Sequence, residues 1–252
     1  MSRVFEHALG CGQMSEHRPL LERQVSLIHY LTSSRAIFGE QGPRDPHLIG
    51  INETLLRMEA RFSYEKRIEK IAAVFPRTFE LLGTDRDALV RQFVDACPPV
   101  DIARLVNARQ FHDFLSARWR RDPPHPPYLP DVAACELACA QARAARNDAL
   151  TSNDGVRPCV RRRPGVVLLR CAFNVRAIFE AEAGAPIERD TLLAAVPAPD
   201  EREPAIVELD PESFDLLSVL DQWTDATAFE ATAETAQLLD DFARAGLVEV
   251  CR

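Results

Sequence analysis

Residues 121–147, RDPPHPPYLPDVAACELACAQARAARN, divide the chain into two parts of different character. Five prolines make a rigid elbow, and the alanine-rich run behind them predicts a helix that begins at Asp131. The preceding sequence has apolar residues at helical spacing, whereas the following sequence has short apolar runs typical of strands and then helical patterns. The stretch therefore predicts a helical domain over 1–147, a linker over 148–155 and a mixed domain over 156–252.

The composition is typical of a globular protein with an ordinary core. Of the 252 residues, 46% are hydrophobic, and there is no apolar run of the roughly 18 residues or more that predict a membrane span. The N-terminal stretch lacks the long apolar centre of a signal peptide. Seven scattered cysteines, an odd number, are typical of reduced thiols. We therefore expect a cytoplasmic protein.

Charge is distributed unevenly along the chain. Residues 176–252 contain 18 acidic and 5 basic residues, whereas residues 1–175 contain 20 acidic and 25 basic residues. An acidic surface repels phosphate groups, so the C-terminal third is poorly suited to nucleic acid. The asymmetry either serves solubility alone or marks two surfaces with different partners.

The N-terminal part predicts helices that are separated by glycine, proline and capping residues. The Phe75-Pro76 pair, for example, should break one helix, and Pro76 can then begin the next. The predicted helices cover residues 18–31, 52–74, 76–82, 85–96 and 101–120 and the run from 131, with a loose arm over 1–14 and a loop over 32–46. Ile102 is among the residues expected to face the core.

The C-terminal part predicts strands and short helices. Residues 165–179, GVVLLRCAFNVRAIF, are rich in Val, Leu and Phe and predict one or two strands. Residues 183–204 contain four prolines and predict a loop with one helical turn over 190–195. The remaining predicted elements are a strand over 205–208, helices over 211–220, 225–231 and 233–245, and a strand over 247–250. This order resembles a winged-helix unit.

No stretch carries a strong catalytic or metal motif. His29, His112 and His125 are isolated in sequence, and neither a glycine-rich phosphate loop nor a nucleophile elbow is present. Cys135 and Cys139 are four residues apart and could form half of a metal site, but among alanines they are more typical of small buried hydrophobes. We therefore expect no catalytic residue, metal or cofactor in this chain.

Several stretches resemble one bacterial family. They are RFSYEKRIEKIAAVFPRTFELLG (Arg61–Gly83), FVDACPP (Phe93–Pro99), YLPDVAACELACAQA (Tyr128–Ala142), RRRPGVVLLRCAFNVRAI (Arg161–Ile178) and the unit from Val207 onward. Together they resemble the family described as a DNA-binding domain, whose members include partner subunits of TIM-barrel, multinuclear-iron enzymes in peptide natural-product pathways. The nearest likeness is to subunits of methanobactin biosynthesis.

The resemblance implies a subunit without an active site of its own. Such a subunit binds the TIM-barrel enzyme and a ribosomal precursor peptide, while iron is held by the enzyme, which oxidises cysteines of the peptide. In the methanobactin case the product binds copper. The fold expected from the sequence pattern is α+β, with an all-helical N-terminal domain and a winged-helix-like C-terminal domain that contains a small sheet. The resemblance implies that this C-terminal domain is a peptide-recognition domain.

In such recognition domains the leader peptide adds a strand to a sheet edge, whose unpaired N–H and C=O groups it satisfies. The matching elements here are the strand over 205–208 and the helix over 233–245. The expected peptide-binding residues are Ala205, Ile206, Val207, Glu208, Leu238 and Phe242. The three apolar residues Ile206, Leu238 and Phe242 are equally suited to packing the domain's own core. The expected contacts with the partner enzyme are Arg118, Arg120, Arg121, His125 and Tyr128.

The alternative is a transcriptional regulator that binds DNA through its winged helix. That function needs basic or amide side chains on the third helix. Here the helix over 233–245 carries Glu234, Asp240 and Asp241, against only Gln237 and Arg244. We therefore expect nucleic acid to be a poor partner.

Overall fold

The computed structural model describes residues 14–43, 45–145, 158–180, 185–198, 203–229 and 233–251. Within them the fold is α+β, as predicted, and combines helices with two small antiparallel sheets. The expected N-terminal arm lies almost wholly outside the described residues, and the expected linker over 148–155 lies wholly outside them. The chain divides into two compact units, one with the residues up to Lys70 and Asp87–Ile102, the other with Ile71–Arg86 and Ala103–Arg252.

Most of the predicted helices begin and end within four residues of the expected positions, because local capping signals fix them. Asn52, for example, accepts a hydrogen bond from the Thr54 N–H at 2.9 Å, and Asp210 accepts one from the Ser213 N–H at 2.8 Å. The exception after position 204 is the helix expected over 225–231, where the structure has a short strand, Thr224–Asp225, and then a three-residue 3-10 helix, Ala226–Ala228. The described α-helices are α1 (Met14–Leu31), α2 (Ser34–Phe38), α3 (Glu53–Ala72), α4 (Pro76–Leu82), α5 (Arg86–Ala96), α6 (Arg104–Trp119), α7 (Leu129–Ala145), α8 (Arg176–Phe179), α9 (Pro211–Val219) and α10 (Ala233–Arg244).

The strands form two antiparallel sheets of three strands each. The described strands are β1 (Cys159–Arg162), β2 (Val167–Phe173), β3 (Glu188–Val196), β4 (Ala205–Leu209), β5 (Thr224–Asp225) and β6 (Val248–Cys251). One sheet has the order β2-β3-β4, and the other has the order β5-β1-β6. The predicted sequence of strand, helices and strand after position 204 is present, and its first and last strands, β4 and β6, belong to different sheets.

Aromatic and arginine contacts hold the first unit together. The rings of Phe38 and Tyr64 meet edge to face at 5.5 Å between centroids, and the Arg91 guanidinium lies 4.3 Å from the Phe38 ring centroid. The half-buried Arg67 stacks on Phe93 at 4.5 Å and donates to the Cys97 carbonyl at 2.8 Å. These contacts join α2, α3 and α5.

Helix α7 is the centre of the second unit, where it packs against α4, α6 and all three strands of the β2-β3-β4 sheet. Val132 and Cys135 of α7 are buried with Leu193 of β3, and smaller alanines continue the contact toward the C-terminal end of the helix. The opposite face of the sheet packs on α9, whose Leu217 is fully buried. The sheet is therefore covered on both faces, which fixes its register.

The second sheet joins residues that are distant in sequence. Strand β1 pairs with β6 so that Cys159 lies opposite Cys251 and Arg161 opposite Glu249. Arg161 and Glu249 form a largely buried ion pair at 2.8 Å, and the Arg161 guanidinium stacks on Trp223 at 4.4 Å. Helix α10 packs beside β6 in the same hydrophobic core.

The structure differs from the sequence prediction in the region 165–204. Residues 188–196, expected to be loop with a helical turn, are strand β3, which is paired along both edges. The predicted strand region 165–179 is a strand only as far as Phe173, and Arg176–Phe179 is the short helix α8. Pairing with β2 and β4 outweighs the weak local preference of the β3 sequence.

Two expectations in the first unit are also wrong. The expected loop over 32–46 contains helix α2, which Ser33 caps with its side chain. Ile102, expected at a core position, precedes α6 and is 85% exposed.

Candidate functional site

Strand β4 forms one edge of its sheet. Among the described residues it pairs with β3 alone, with Ile206 opposite Ala195 and Glu208 opposite Leu193. In an antiparallel strand every second residue directs its N–H and C=O away from the partner, so the outer side of β4 presents unpaired backbone groups. The strand predicted to receive a peptide is thus an edge strand.

Side chains alternate between the two faces of β4. Ile206 packs in the core that α7 forms with the sheet, and Glu208 shares that face because its neighbour across the strands, Leu193, also belongs to this core. Leu209 packs with the α9 core on the other face, and Val207 is 39% exposed. A strand added to β4 would present alternate side chains to these same two faces.

A cavity of about 600 Å³ lies on the α7 side of the sheet, against the beginning of β4. On the side of β4 the cavity is lined by Ala205 and Ile206. On the opposite side it is lined by α7 residues that share one face of the helix because they are three or four positions apart. The α7 residues are Glu136, Cys139, Ala140 and Arg143. Helix α8, the segment 73–77 and Glu203-Pro204 complete the lining, so elements far apart in sequence meet here.

The charged side chains of the cavity wall are engaged in ion pairs or hydrogen bonds. The pairs are Arg77 with Glu80 at 2.9 Å, Arg143 with Glu203, and Arg176 with Glu180 at 3.1 Å. Arg176 also lies 3.9 Å from Glu208 of β4, which pairs with Arg189 at 2.7 Å. Because each of these cations has a carboxylate partner, the wall carries little net charge.

Glu136 is a buried carboxylate that anchors the first turn of α4. Its Oε1 accepts a hydrogen bond from the Arg77 N–H at 2.6 Å, and its Oε2 accepts from the Thr78 N–H at 3.0 Å and the Thr78 hydroxyl at 2.7 Å. Burial raises the pKa of Glu136, although these hydrogen bonds oppose the shift. The role of Glu136 is therefore structural: it joins α7 to α4 and closes one side of the cavity.

The cysteines of α7 behave as small hydrophobic residues. Cys135 is buried beside Cys171 of β2, and the contact with that thiol together with burial raises the pKa of Cys135 strongly. Burial also raises the pKa of Cys139 to about 11. Cys139 therefore presents a neutral thiol to the cavity at physiological pH.

The predicted peptide-binding residues do not form one wall. Ala205, Ile206, Val207 and Glu208 lie together on β4, as the sequence predicts. Leu238 and Phe242 belong instead to the core of α9, α10 and β6, whereas Ile206 belongs to the α7 core. The residues that face Ile206 across the cavity come from α7 and α8, which sequence reasoning did not assign to the site.

The predicted partner-contact residues lie at the end of α6 and in the proline elbow. Arg120, Arg121 and His125 are exposed, and Arg118 forms an ion pair with Asp122 at 3.1 Å. Tyr128 is half-buried and contacts the Phe173 ring edge to face at 6.2 Å between centroids. Tyr128 therefore contributes to packing, whereas the three exposed residues are accessible to another protein.

Helix α10 presents an acidic surface. Glu234, Asp240 and Asp241 are exposed. The basic and amide side chains that could oppose them, Arg244 and Gln237, are both hydrogen-bonded to Asp241. This arrangement disfavours contact with a phosphate backbone.

Two apolar stripes in the first unit are a feature that sequence reasoning missed. On α1 the residues Leu21, Val25 and Ile28 are each more than half exposed, and on α3 so are Leu55, Met58 and Phe62. Each stripe follows the spacing of three and four residues that a partner helix matches. The apolar periodicity was visible in the sequence, but it did not reveal that these positions face outward.

The described residues contain no cluster of three or more His, Cys, Asp or Glu side chains that could hold a metal ion. Within the same residues, no helix is both long enough and apolar enough to cross a bilayer. No protein-family model matches the chain, and no curated protein matches it in sequence.

Proposed function

We propose that this chain is a non-catalytic subunit that binds a ribosomal precursor peptide along β4 and accompanies a TIM-barrel, multinuclear-iron enzyme that oxidises the peptide. The product would be a copper-binding compound of the methanobactin type. The iron would belong to the enzyme rather than to this chain. The family resemblance suggests the pathway, and the edge position of β4 is the observation that carries the binding role.

The β4 edge supports peptide binding because it combines three properties. Its outer backbone groups have no strand partner among the described residues, it adjoins a cavity that can accept side chains, and its sheet is packed between α7 and α9. Backbone pairing would supply affinity, and the cavity would supply selectivity. The acidic α10 leaves the alternative, DNA binding, without comparable support.

The exposed stripes of α1 and α3 support the presence of a second protein subunit. Each helix aligns three large apolar side chains along one exposed face, and apolar surface of this kind is typical of protein–protein contacts. In the proposal the TIM-barrel enzyme covers these stripes. The exposed residues of the elbow, in the second unit, are separate expected contacts with the enzyme.

The proposal also assigns the chain to the cytoplasm. The seven cysteines are an odd number scattered along the sequence, which is typical of reduced thiols in a reducing compartment.

The first test is co-expression with the TIM-barrel iron enzyme encoded in the neighbouring genes. We expect a stable heterodimer on size-exclusion chromatography, with iron retained by the enzyme when the subunits are separated. Leu21→Glu combined with Phe62→Glu should prevent heterodimer formation, while the exposed control Ile187→Glu should not. Stoichiometric iron in the isolated chain, or nanomolar binding to duplex DNA at physiological salt, would reject the proposal.

The second test uses two prolines on β4. Adjacent residues of a strand direct their N–H groups to opposite sides, so Ile206→Pro and Val207→Pro remove one donor facing β3 and one facing outward. The variant that loses the outward-facing N–H should keep the thermal unfolding temperature of the wild type and still form the heterodimer, but it should lose affinity for the precursor peptide from the same gene cluster. If both proline variants fold and bind the peptide as tightly as the wild type, β4 is not the binding edge.

A further inference from the structure

The wall of the β4 cavity restricts what can bind there. Its cations Arg77, Arg143 and Arg176 are each paired with a glutamate, and Glu136 accepts three hydrogen bonds. A charged guest would have to displace one of these pairs and would be desolvated in doing so. The electrostatic arrangement therefore favours an uncharged guest.

The rest of the lining is apolar. It is formed by Ala73, Val74, Pro76, Cys139, Ala140, Phe179, Pro204, Ala205 and Ile206. The Cys139 thiol stays protonated, so it adds polarizable but neutral surface. A volume of about 600 Å³ is within the range of sites that hold small organic groups. An apolar side chain larger than alanine would fit within this volume.

The position of the cavity relates it to the edge strand. Ile206 points to the α7 side of the sheet and forms part of the cavity wall. A peptide strand added to β4 would lie roughly 4.8 Å beyond it and would direct every second side chain to the same side. Such a side chain would enter the space between β4, α7 and α8.

We propose that this cavity is the specificity pocket of the peptide-binding edge and takes a large uncharged apolar side chain, such as that of Leu or Phe, from the bound strand. This inference rests on the proposed function, because it uses the same edge. It adds a selection rule: bound peptides carry an apolar residue at the position that faces α7, with neighbouring positions free to vary.

The pocket can be tested without the natural peptide. The probes are the N-acetyl amides of leucine, phenylalanine, asparagine and aspartate, titrated into the isotope-labelled full chain and followed by NMR. We expect the leucine and phenylalanine probes to shift the methyl signals of Ile206 and Ala140 at millimolar concentration, and the asparagine and aspartate probes to leave them unchanged. Preferential binding of the aspartate probe, or no shift with any probe, would overturn the assignment.

Ala140→Phe should fill the cavity and abolish those shifts. Ala134→Phe is the matched control, because it introduces the same side chain on the same helix outside the cavity lining. Both variants are first checked for an unchanged far-ultraviolet spectrum and cooperative unfolding. If Ala140→Phe does not fold, Cys139→Asp serves instead, since it introduces a charge into the apolar wall and should also exclude the probes.

A peptide experiment separates the pocket from the proposed function. The precursor peptide and variants with each apolar leader residue replaced by Asn are compared by fluorescence anisotropy. One of these Asn replacements should weaken binding of the peptide to the wild-type protein roughly tenfold or more. The same replacement should weaken binding to the Ala140→Phe protein much less, because the pocket is already filled there. Tight binding that is sensitive to the β4 prolines but not to Ala140→Phe would overturn the pocket and retain the proposed function. Failure of the peptide to bind at all, with the amide probes still bound, would reject the proposed function.

Discussion

Replacing Glu136 by alanine is expected to destabilise the second unit strongly. The carboxylate accepts hydrogen bonds from two backbone N–H groups and one hydroxyl at the start of α4, and it is almost fully buried. Alanine leaves all three donors without this partner and removes a buried side chain. An unsatisfied buried polar group costs roughly 1–3 kcal/mol, so the total loss should be about 3–5 kcal/mol. Glu136→Gln keeps the volume and one acceptor, and should cost about 1–2 kcal/mol.

The assay is urea unfolding followed by tryptophan fluorescence. Trp119 and Trp223 both lie in the second unit and are the two tryptophans of the chain, so the signal reports the unit that contains Glu136. Asp122→Ala is the control, because it removes an exposed carboxylate of the same unit whose ion pair with Arg118 should contribute little. A loss below roughly 1 kcal/mol for Glu136→Ala would refute the view that this carboxylate holds α4 on α7.

The contribution of Glu136 to the free energy of unfolding should depend on pH. Burial raises the pKa of Glu136 in the folded protein above its value in the unfolded chain. The folded state therefore keeps a proton that the unfolded state releases, and the stability from this group is largest below the unfolded pKa. It falls as the pH rises through the raised pKa and is constant above it. Glu136→Gln should lack this fall. Identical pH profiles for wild type and Glu136→Gln would contradict the assigned shift.

Three further predictions concern the second unit. Asp131→Ala should cost about 1–3 kcal/mol in urea unfolding, because the Phe173 N–H, 2.9 Å from this carboxylate, loses its acceptor; an unchanged midpoint would contradict it. Gly165→Ala should lower the unfolding temperature, because Gly165 has a φ of +90° and an added Cβ would lie 2.6 Å from a side-chain carbon of α7. An unchanged unfolding temperature would show that the turn relaxes to accommodate the methyl group. Arg161→Met should lower the free energy of unfolding by about 3 kcal/mol, because it leaves the carboxylate of Glu249 buried without its partner, and adding Glu249→Leu should restore most of this loss. If the double variant is no more stable than Arg161→Met, the two side chains do not act as a buried ion pair.

Sequence patterns predicted the helices well because the deciding signals are local. Pro76 occupies the first turn of α4, Asp210 caps α9 with its own side chain, and Gly246 adopts a left-handed φ of +72° just after α10. Each signal acts within a few residues of the boundary that it sets. Helix α2 was missed because five residues are too few to show a period.

The strands and the cavity were harder to predict because they depend on distant partners. The sequence ERDTLLAAV of β3 has no alternation of apolar and polar residues, and it is a strand because β2 and β4 flank it. The edge strand β4 was predicted as a binding element, but its opposing wall was assigned to α10. The residues that form that wall, such as Ala140 and Phe179, carry no chemical signal that distinguishes them from core residues.

The pairing of β1 with β6 constrains the order of events during protein synthesis. Arg161 is translated 88 residues before Glu249, the residue to which it bonds. While the ribosome makes the intervening chain, β1 has no access to this neighbour, and a contact so distant in sequence forms slowly. The helices nearer the N-terminus have short-range contacts and can form first. A premature stop before position 248 would therefore release a chain in which the β1 edge that normally pairs with β6 is exposed and prone to aggregation.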